Sequence, residues 1–179
     1  HHFAQHRKLN DRLLALGYGE LRAYEHTLAA DYARYAGRSL RFRLAYAAGF
    51  ETMALAIGHM LVADREYFFA GADPAVSSLV LWHFVEELEH KTAAFDVYQH
   101  VAGSYPYRVL GLLFAVTHTL RRTRQAYVAL LRRDGDWGRW RTRWALKKLL
   151  ARIFVQTTPW FLEALSPWHD PRRSADPRW

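Results

Sequence analysis

Residues 79–99, LVLWHFVEELEHKTAAFDVYQ, set five ionisable side chains, His83, Glu86, Glu87, Glu89 and His90, into an otherwise largely apolar run. On a helix, positions three and four apart share a face. Counted from Glu87, that rule gathers Val76, Val80, His83, His90, Ala94, Val97 and Val101 into one stripe. Glu86, Glu89 and Lys91 fall outside it and read as a solvated face. An ionised glutamate alone on a core-facing stripe costs many kcal/mol, so it needs a cation or a shifted pKa. Glu87-x-x-His90 offers a carboxylate oxygen and an imidazole nitrogen to one point in space, the arrangement by which helical bundles hold paired metal ions. The same spacing also arises on solvated helices, where it is an ion-pair cluster beside a satisfied core histidine.

A second carboxylate sharpens the reading. In LAYAAGFETMALAIGHML the neighbours of Glu51 on its own helical face are Ala47, Ala48, Ala54, Leu55 and Gly58. Small apolar residues surround it, and no cation shares that face; the alternative is a reach to solvent or to Arg41 or Arg43. One Glu on one helix and a Glu-x-x-His on the next make half of a dinuclear site. The other half is expected before residue 37, where His2, His6 and Asn10 recur every four residues with Leu9 and Leu13 alongside. A glutamate one turn upstream of His2 would complete a second Glu-x-x-His, and it would precede the first residue of this sequence. His1 and His2 also read as remnants of a tag, which leaves the register of His6 and Asn10 unexplained.

These residues require helices to position them, and helix signals dominate. With 179 residues, 51% hydrophobic and 15% aromatic, the chain is large enough to bury a core. It has no cysteine, so any metal must be held by His, Asp and Glu. The pattern predicts helices from the start to about 16, from 20 to 36, from 40 to 70 after the N-cap Ser39, and from 74 to 103 after the Asp73-Pro74 start. Two more are expected from 104 to 133 and from 137 to 155. The fold class is therefore all-α, a helical bundle with additional C-terminal basic helices. Residues 1–155 read as one domain, and 156–179, with four of the six prolines, as a Pro/Trp-rich tail wrapping across the surface or fraying. The longest uncharged apolar stretch, about 109–120, is too short to span about 30 Å of hydrocarbon, and no secretory leader opens the chain. A cytoplasmic protein, peripheral at a membrane at most, is expected.

Charge is uneven. Residues 119–152 hold eleven Arg or Lys against Asp134 and Asp136, a net of +9 out of +8 for the chain, so the rest is near −1. Trp137, Trp140 and Trp144 share one face of this segment. Three readings follow: a tryptophan face packed on the bundle under a solvated basic face, an interfacial helix on anionic lipid, and, least favoured, nucleic-acid binding with strong salt dependence. A chain using only this surface would be a non-catalytic binder of a membrane surface.

The stretch WHFVEELEHKTAAFDVYQHVAGSY at 82–105 resembles the signature of the bacterial family of predicted metal-dependent hydrolases, taken to be ferritin-like helical proteins. The resemblance extends to FETMALAI around Glu51, to GADP at 71–74, to the N-terminal His-x-x-x-His-x-x-x-Asn and loosely to the Pro-Trp near the C-terminus. It implies metal ligation by Glu51, Glu87, His90 and His2, with His6 and His83 as further candidates. The family pattern also has glutamates upstream of His2, so this chain reads as lacking the family's N-terminal segment. A carboxylate and imidazole set without sulfur suits iron first, then manganese or zinc. Two mechanisms fit: hydrolysis with His83 or the neighbouring carboxylate Glu86 as base, or oxidation of an apolar small molecule at a di-iron centre bridged by Glu51 and Glu87, favoured slightly by fold analogy. The sequence contains no Ser-His-Asp arrangement, P-loop or Gly-x-Gly-x-x-Gly. The aromatic content is compatible with a homodimer.

Overall fold

The computed structural model describes residues 2–174, with side chains from Ala4 onward, and every regular element among them is helical. In chain order these are α1 (His2–Ala15), α2 (Leu21–Ala36), α3 (Leu40–Ala63), α4 (Arg65–Phe68), α5 (Pro74–Glu89), α6 (Ala93–Val101), α7 (Tyr105–Arg133) and α8 (Trp140–Ala164), followed by a 3₁₀ turn at Pro171–Arg173. The all-α class is as the sequence predicts. The chain divides into two compact units, Ser39–Val116 with Ile153–Trp179, and His1–Arg38 with Thr117–Arg152.

The first unit is organised around α3, which packs on α5 and α6. Ser39 starts α3 as an N-cap, its Oγ accepting the Phe42 N–H at 3.3 Å. By length and composition α3 is apolar enough to cross a bilayer, but 61% of that window is buried within the structure, as expected of a core helix. The helix stops at Ala63, short of the predicted residue 70; Asp64 caps it, α4 follows, and the chain turns at Gly71 with φ 71°. Asp73 then opens α5 as the sequence predicts, its Oδ1 accepting from the N–H groups of Ala75 (2.8 Å) and Val76 (3.3 Å), with Pro74 in the first turn.

The close approach of α3 to α7 depends on glycine. A Cβ at Gly49 would lie 2.6 Å from the Leu112 Cα, and one at Gly111 would strike the Ala45 carbonyl oxygen. Around this crossing Ala45, Ala48 and Tyr98 form a fully buried cluster.

Two further helices differ from the expectation. The helix predicted over 74–103 is two helices: α5 ends at Glu89, residues 90–92 turn, and α6 restarts at Ala93. The last helix, predicted to end near Val155, continues to Ala164 through Pro159. Proline removes the N–H that would bond the Val155 carbonyl, while the hydroxyls of Thr157 and Thr158 donate to the Ile153 and Phe154 carbonyls at 2.8 and 2.6 Å. Tertiary contacts hold the segment in place. Trp160 stacks on His59 with ring centroids 4.0 Å apart, Gln156 donates to Asp64 at 2.9 Å, and Arg108 donates to the carbonyls of Ala164 (2.8 Å) and Ser166 (2.7 Å). Beyond α8, His169, Pro171 and Ser174 are buried.

In the second unit α2 and the 117–133 part of α7 bury a charged knot described below. Its edge is held by Arg133, which donates to Glu20 at 3.1 Å and lies over the Tyr18 ring, while the Tyr18 hydroxyl donates to Asp134 at 3.1 Å.

Candidate functional site

Glu51 is half-buried on α3 among the buried Ala48, Ala54 and Leu55. Its Oε2 accepts the backbone N–H of Ala94 at 2.9 Å. That donor belongs to the first turn of α6, whose N-cap, Thr92, supplies no side-chain bond. A helix start leaves such N–H groups without intrahelical partners, so Glu51 performs across helices the task a capping residue would perform locally. Of the two cations expected as possible partners, Arg41 and Arg43, Arg41 lies 4.2 Å over the Tyr107 ring.

Burial is the main cause that raises the Glu51 pKa above the ordinary carboxylate value. The negative charge of Glu87 adds to it, while the Ala94 N–H and the nearby His90 act in the opposite direction. Glu87 and His90 thus lie near enough to Glu51 to act on its charge. His83 lies with its Nε2 4.0 Å from Glu87 Oε1, both side chains 26% exposed. Glu86, the other proposed base, is half-buried.

The helix break changes the rest of the predicted stripe. His90 is the C-cap of α5, exposed, its N–H bonded to the Glu86 carbonyl at 3.2 Å. Past the break the inward residues are Phe95 and Tyr98, whereas Val97 and Val101 are 50% and 53% exposed. Val76, at the other end of the stripe, is also exposed. The face expected to bury a continuous row therefore half-buries only its middle, at Val80, His83, Glu87 and Ala94.

Of the N-terminal pair, the His2 side chain lies outside the described residues. His6 belongs to the second unit, where it lines a cavity of about 640 Å³ between α1 and α2 with Asn10, Glu25, His26 and Tyr32. Asn10 Nδ2 donates there to Glu25 Oε1 at 2.7 Å.

The donor set fits a metal in its chemistry. Two carboxylates and an imidazole suit a hard or borderline divalent ion, and a cation would offset both the burial of the Glu51 charge, the main cause of its raised pKa, and the smaller repulsion from Glu87. Coordination geometry is a separate matter: among the described residues no group of three or more His, Asp or Glu side chains converges closely enough to hold an ion.

One constellation escaped the sequence reading. In the second unit Asp31, 3% exposed, has Oδ2 3.0 Å from His118 Nε2 and accepts from Arg122 Nε at 2.6 Å, while Oδ1 accepts from Arg34 at 2.7 Å. The rings of Tyr32 and Tyr35 meet His118 edge-on. Burial pushes the Asp31 carboxyl up, but the hydrogen bonds from His118 and Arg122 and the charges of Arg122 and Arg34 outweigh it and leave the pKa below the usual value. The signal was present in the same form as at Glu51: an acid on a helical face between Leu28 and Tyr35, and a His118-x-x-x-Arg122 pair on another helix.

Over residues 1–175 the sequence matches the family described as predicted metal-dependent hydrolase. No curated protein and no solved structure matches the chain significantly.

Proposed function

Since the chain belongs to the family of predicted metal-dependent hydrolases, we propose that it hydrolyses a small, largely apolar molecule at a divalent metal held by Glu51, Glu87 and His90. The observation that carries this reading is the Glu51 carboxylate, half-buried among alanines and leucine, with a second carboxylate and an imidazole near enough to shift its pKa. Iron suits this oxygen and nitrogen set first, with manganese and zinc as alternatives. When bound, such an ion supplies Lewis acidity and lowers the pKa of a coordinated water toward neutrality.

The chain's own residues supply the rest. Glu51 and Glu87 bring negative charge from two helices, and Glu51 is held in orientation by the Ala94 N–H. His83, beside Glu87, is the base that takes the proton from the attacking water, and Glu86 is the neighbouring carboxylate that shares this proton. The apolar flank of Ala48, Ala54 and Leu55 limits water around the carboxylates and favours an apolar acyl or alkyl group on the substrate.

The test separates a ligand from a helix cap. Glu51→Gln keeps an amide oxygen that can still accept from Ala94, so helical content and melting behaviour should stay near wild type. Metal content after loading with iron, manganese or zinc and desalting should nevertheless fall, as it should in Glu87→Gln and His90→Ala, with metal affinity weakened by more than about tenfold. If all three variants retain as much metal as the wild type, Glu51 serves α6 alone and the proposal fails.

A further inference from the structure

The first turns of α8 carry their tryptophans outward. Between residues 139 and 152 the sequence has six cations and no acid. Thr142, Leu146 and Leu149 form the half-buried side of this stretch, while Trp140 and Trp144, on the opposite side by helical periodicity, are 72% and 54% exposed. Lys147 continues their row one turn on. Arg141 and Lys148 border it on one flank and Arg143 on the other, all of them exposed. The Arg141 guanidinium lies 5.8 Å from the Trp140 ring and the Lys148 ammonium 5.7 Å from the Trp144 ring.

We propose that this face of α8 is a docking surface for an anionic lipid bilayer. Charge complementarity to anionic headgroups and the stability of an indole at the interface both favour this occupant. A purely solvated face has no use for two large exposed apolar rings, whereas the membrane interface accepts an indole with its body among acyl chains and its N–H toward water. Lys147, Lys148 and the arginines have stems long enough to lie along the interface while their charges reach lipid headgroups. A helix with an aromatic row set in a strongly basic face lies in the plane of the bilayer surface, and the absence of acids leaves nothing to repel an anionic leaflet. Binding to duplex nucleic acid would use the same cations through phosphate contacts, but it would leave both indoles without a role.

The experiment is co-sedimentation of the full chain with sucrose-loaded vesicles of phosphatidylcholine alone and of phosphatidylcholine containing about 30% phosphatidylserine. The protein should pellet with the anionic vesicles and stay in the supernatant with the neutral ones. Each basic residue near such a surface strengthens partitioning about fivefold. A Lys147→Glu/Lys148→Glu double variant should therefore lose at least about 25-fold in partition coefficient. Trp140→Ser/Trp144→Ser should lose at least about tenfold, because the indoles contribute their burial. All four positions are exposed, and an unchanged circular dichroism melt verifies that the variants fold. Failure of the wild type to bind anionic vesicles overturns the proposal, and so does a tryptophan variant that binds as well as the wild type. Tighter binding of a labelled single-stranded oligonucleotide than of the vesicles, lost in both variants, would overturn it as well and assign the face to nucleic acid, with the rings as stacking platforms.

Discussion

His169 should make the stability of this protein fall steeply in mild acid. Its side chain is 4% exposed, and neither ring nitrogen has a hydrogen-bond partner. The Phe95 ring meets it edge-on at 5.6 Å, and Glu163 holds Oε1 3.9 Å from Nδ1, beyond hydrogen-bonding length. Burial, reinforced by the positive charge of Arg108 and opposed by Asp170, lowers the pKa from 6.5 to about 4. The folded chain therefore refuses a proton that the unfolded chain accepts. The resulting stability is fully present above pH 6.5 and is lost as the pH falls toward 4. Integrating the linkage relation between about pH 7.5 and 4.5 gives a loss of roughly 2 to 3 kcal/mol from this one group. His169→Leu keeps a similar volume and removes both nitrogens. It should match or exceed the wild type near neutrality, where it eliminates two unsatisfied buried atoms, and it should lose roughly 2 to 3 kcal/mol less on acidification. Urea unfolding of both proteins at the two pH values measures this directly, since every other titrating group is common to both. A variant that loses as much stability as the wild type would refute the assignment.

Two further perturbations test the packing of each unit. Gly111→Ala gains about 1 kcal/mol of helix propensity but drives a methyl into the Ala45 carbonyl of α3, at about 3 kcal/mol for overpacking. The net should be destabilising by about 2 kcal/mol in denaturant titration. Gly58→Ala, whose added carbon meets only the Phe84 side chain at 3.2 Å, should cost less; equal losses would argue against a backbone-limited crossing of α3 and α7. Asp31→Asn removes the charge that neutralises Arg122 and Arg34, and because both arginines keep some solvent exposure the loss should be about 2 to 3 kcal/mol, below that of a fully buried pair. Thermal melts would measure it, and a change under about 0.5 kcal/mol would mean that the arginines simply re-solvate.

Local signals were sufficient wherever the physics is local. The all-α class, the caps at Ser39 and Asp73, the turn at Gly71 and the family all follow from residue types and their spacing, because a side-chain oxygen within reach of its own helix start needs no tertiary partner. The expectation that Glu51 faces Glu87 and His90 has a similar basis: a carboxylate flanked by alanines on a long apolar helix must face something, and the next long helix offers Glu-x-x-His; the structure places both near enough to act on the Glu51 charge, and among the described residues no three such side chains converge on one point. Periodicity could not reveal the break at residues 90–92. No proline or glycine marks it, and the first turn of α6 is completed by Glu51, a residue 43 positions earlier. Past this restart Phe95 and Tyr98 are buried while Val97 and Val101 are exposed. Pro159 is the converse case. A local rule ended the helix there, yet stacking of Trp160 on His59 and the grip of Arg108 on the following carbonyls carry α8 on to Ala164. The composition of α8 likewise left open which side its tryptophans take. Thr142, Leu146 and Leu149 take the half-buried side because packing selects a face by shape, and with that choice Trp140 and Trp144 are left to the solvent.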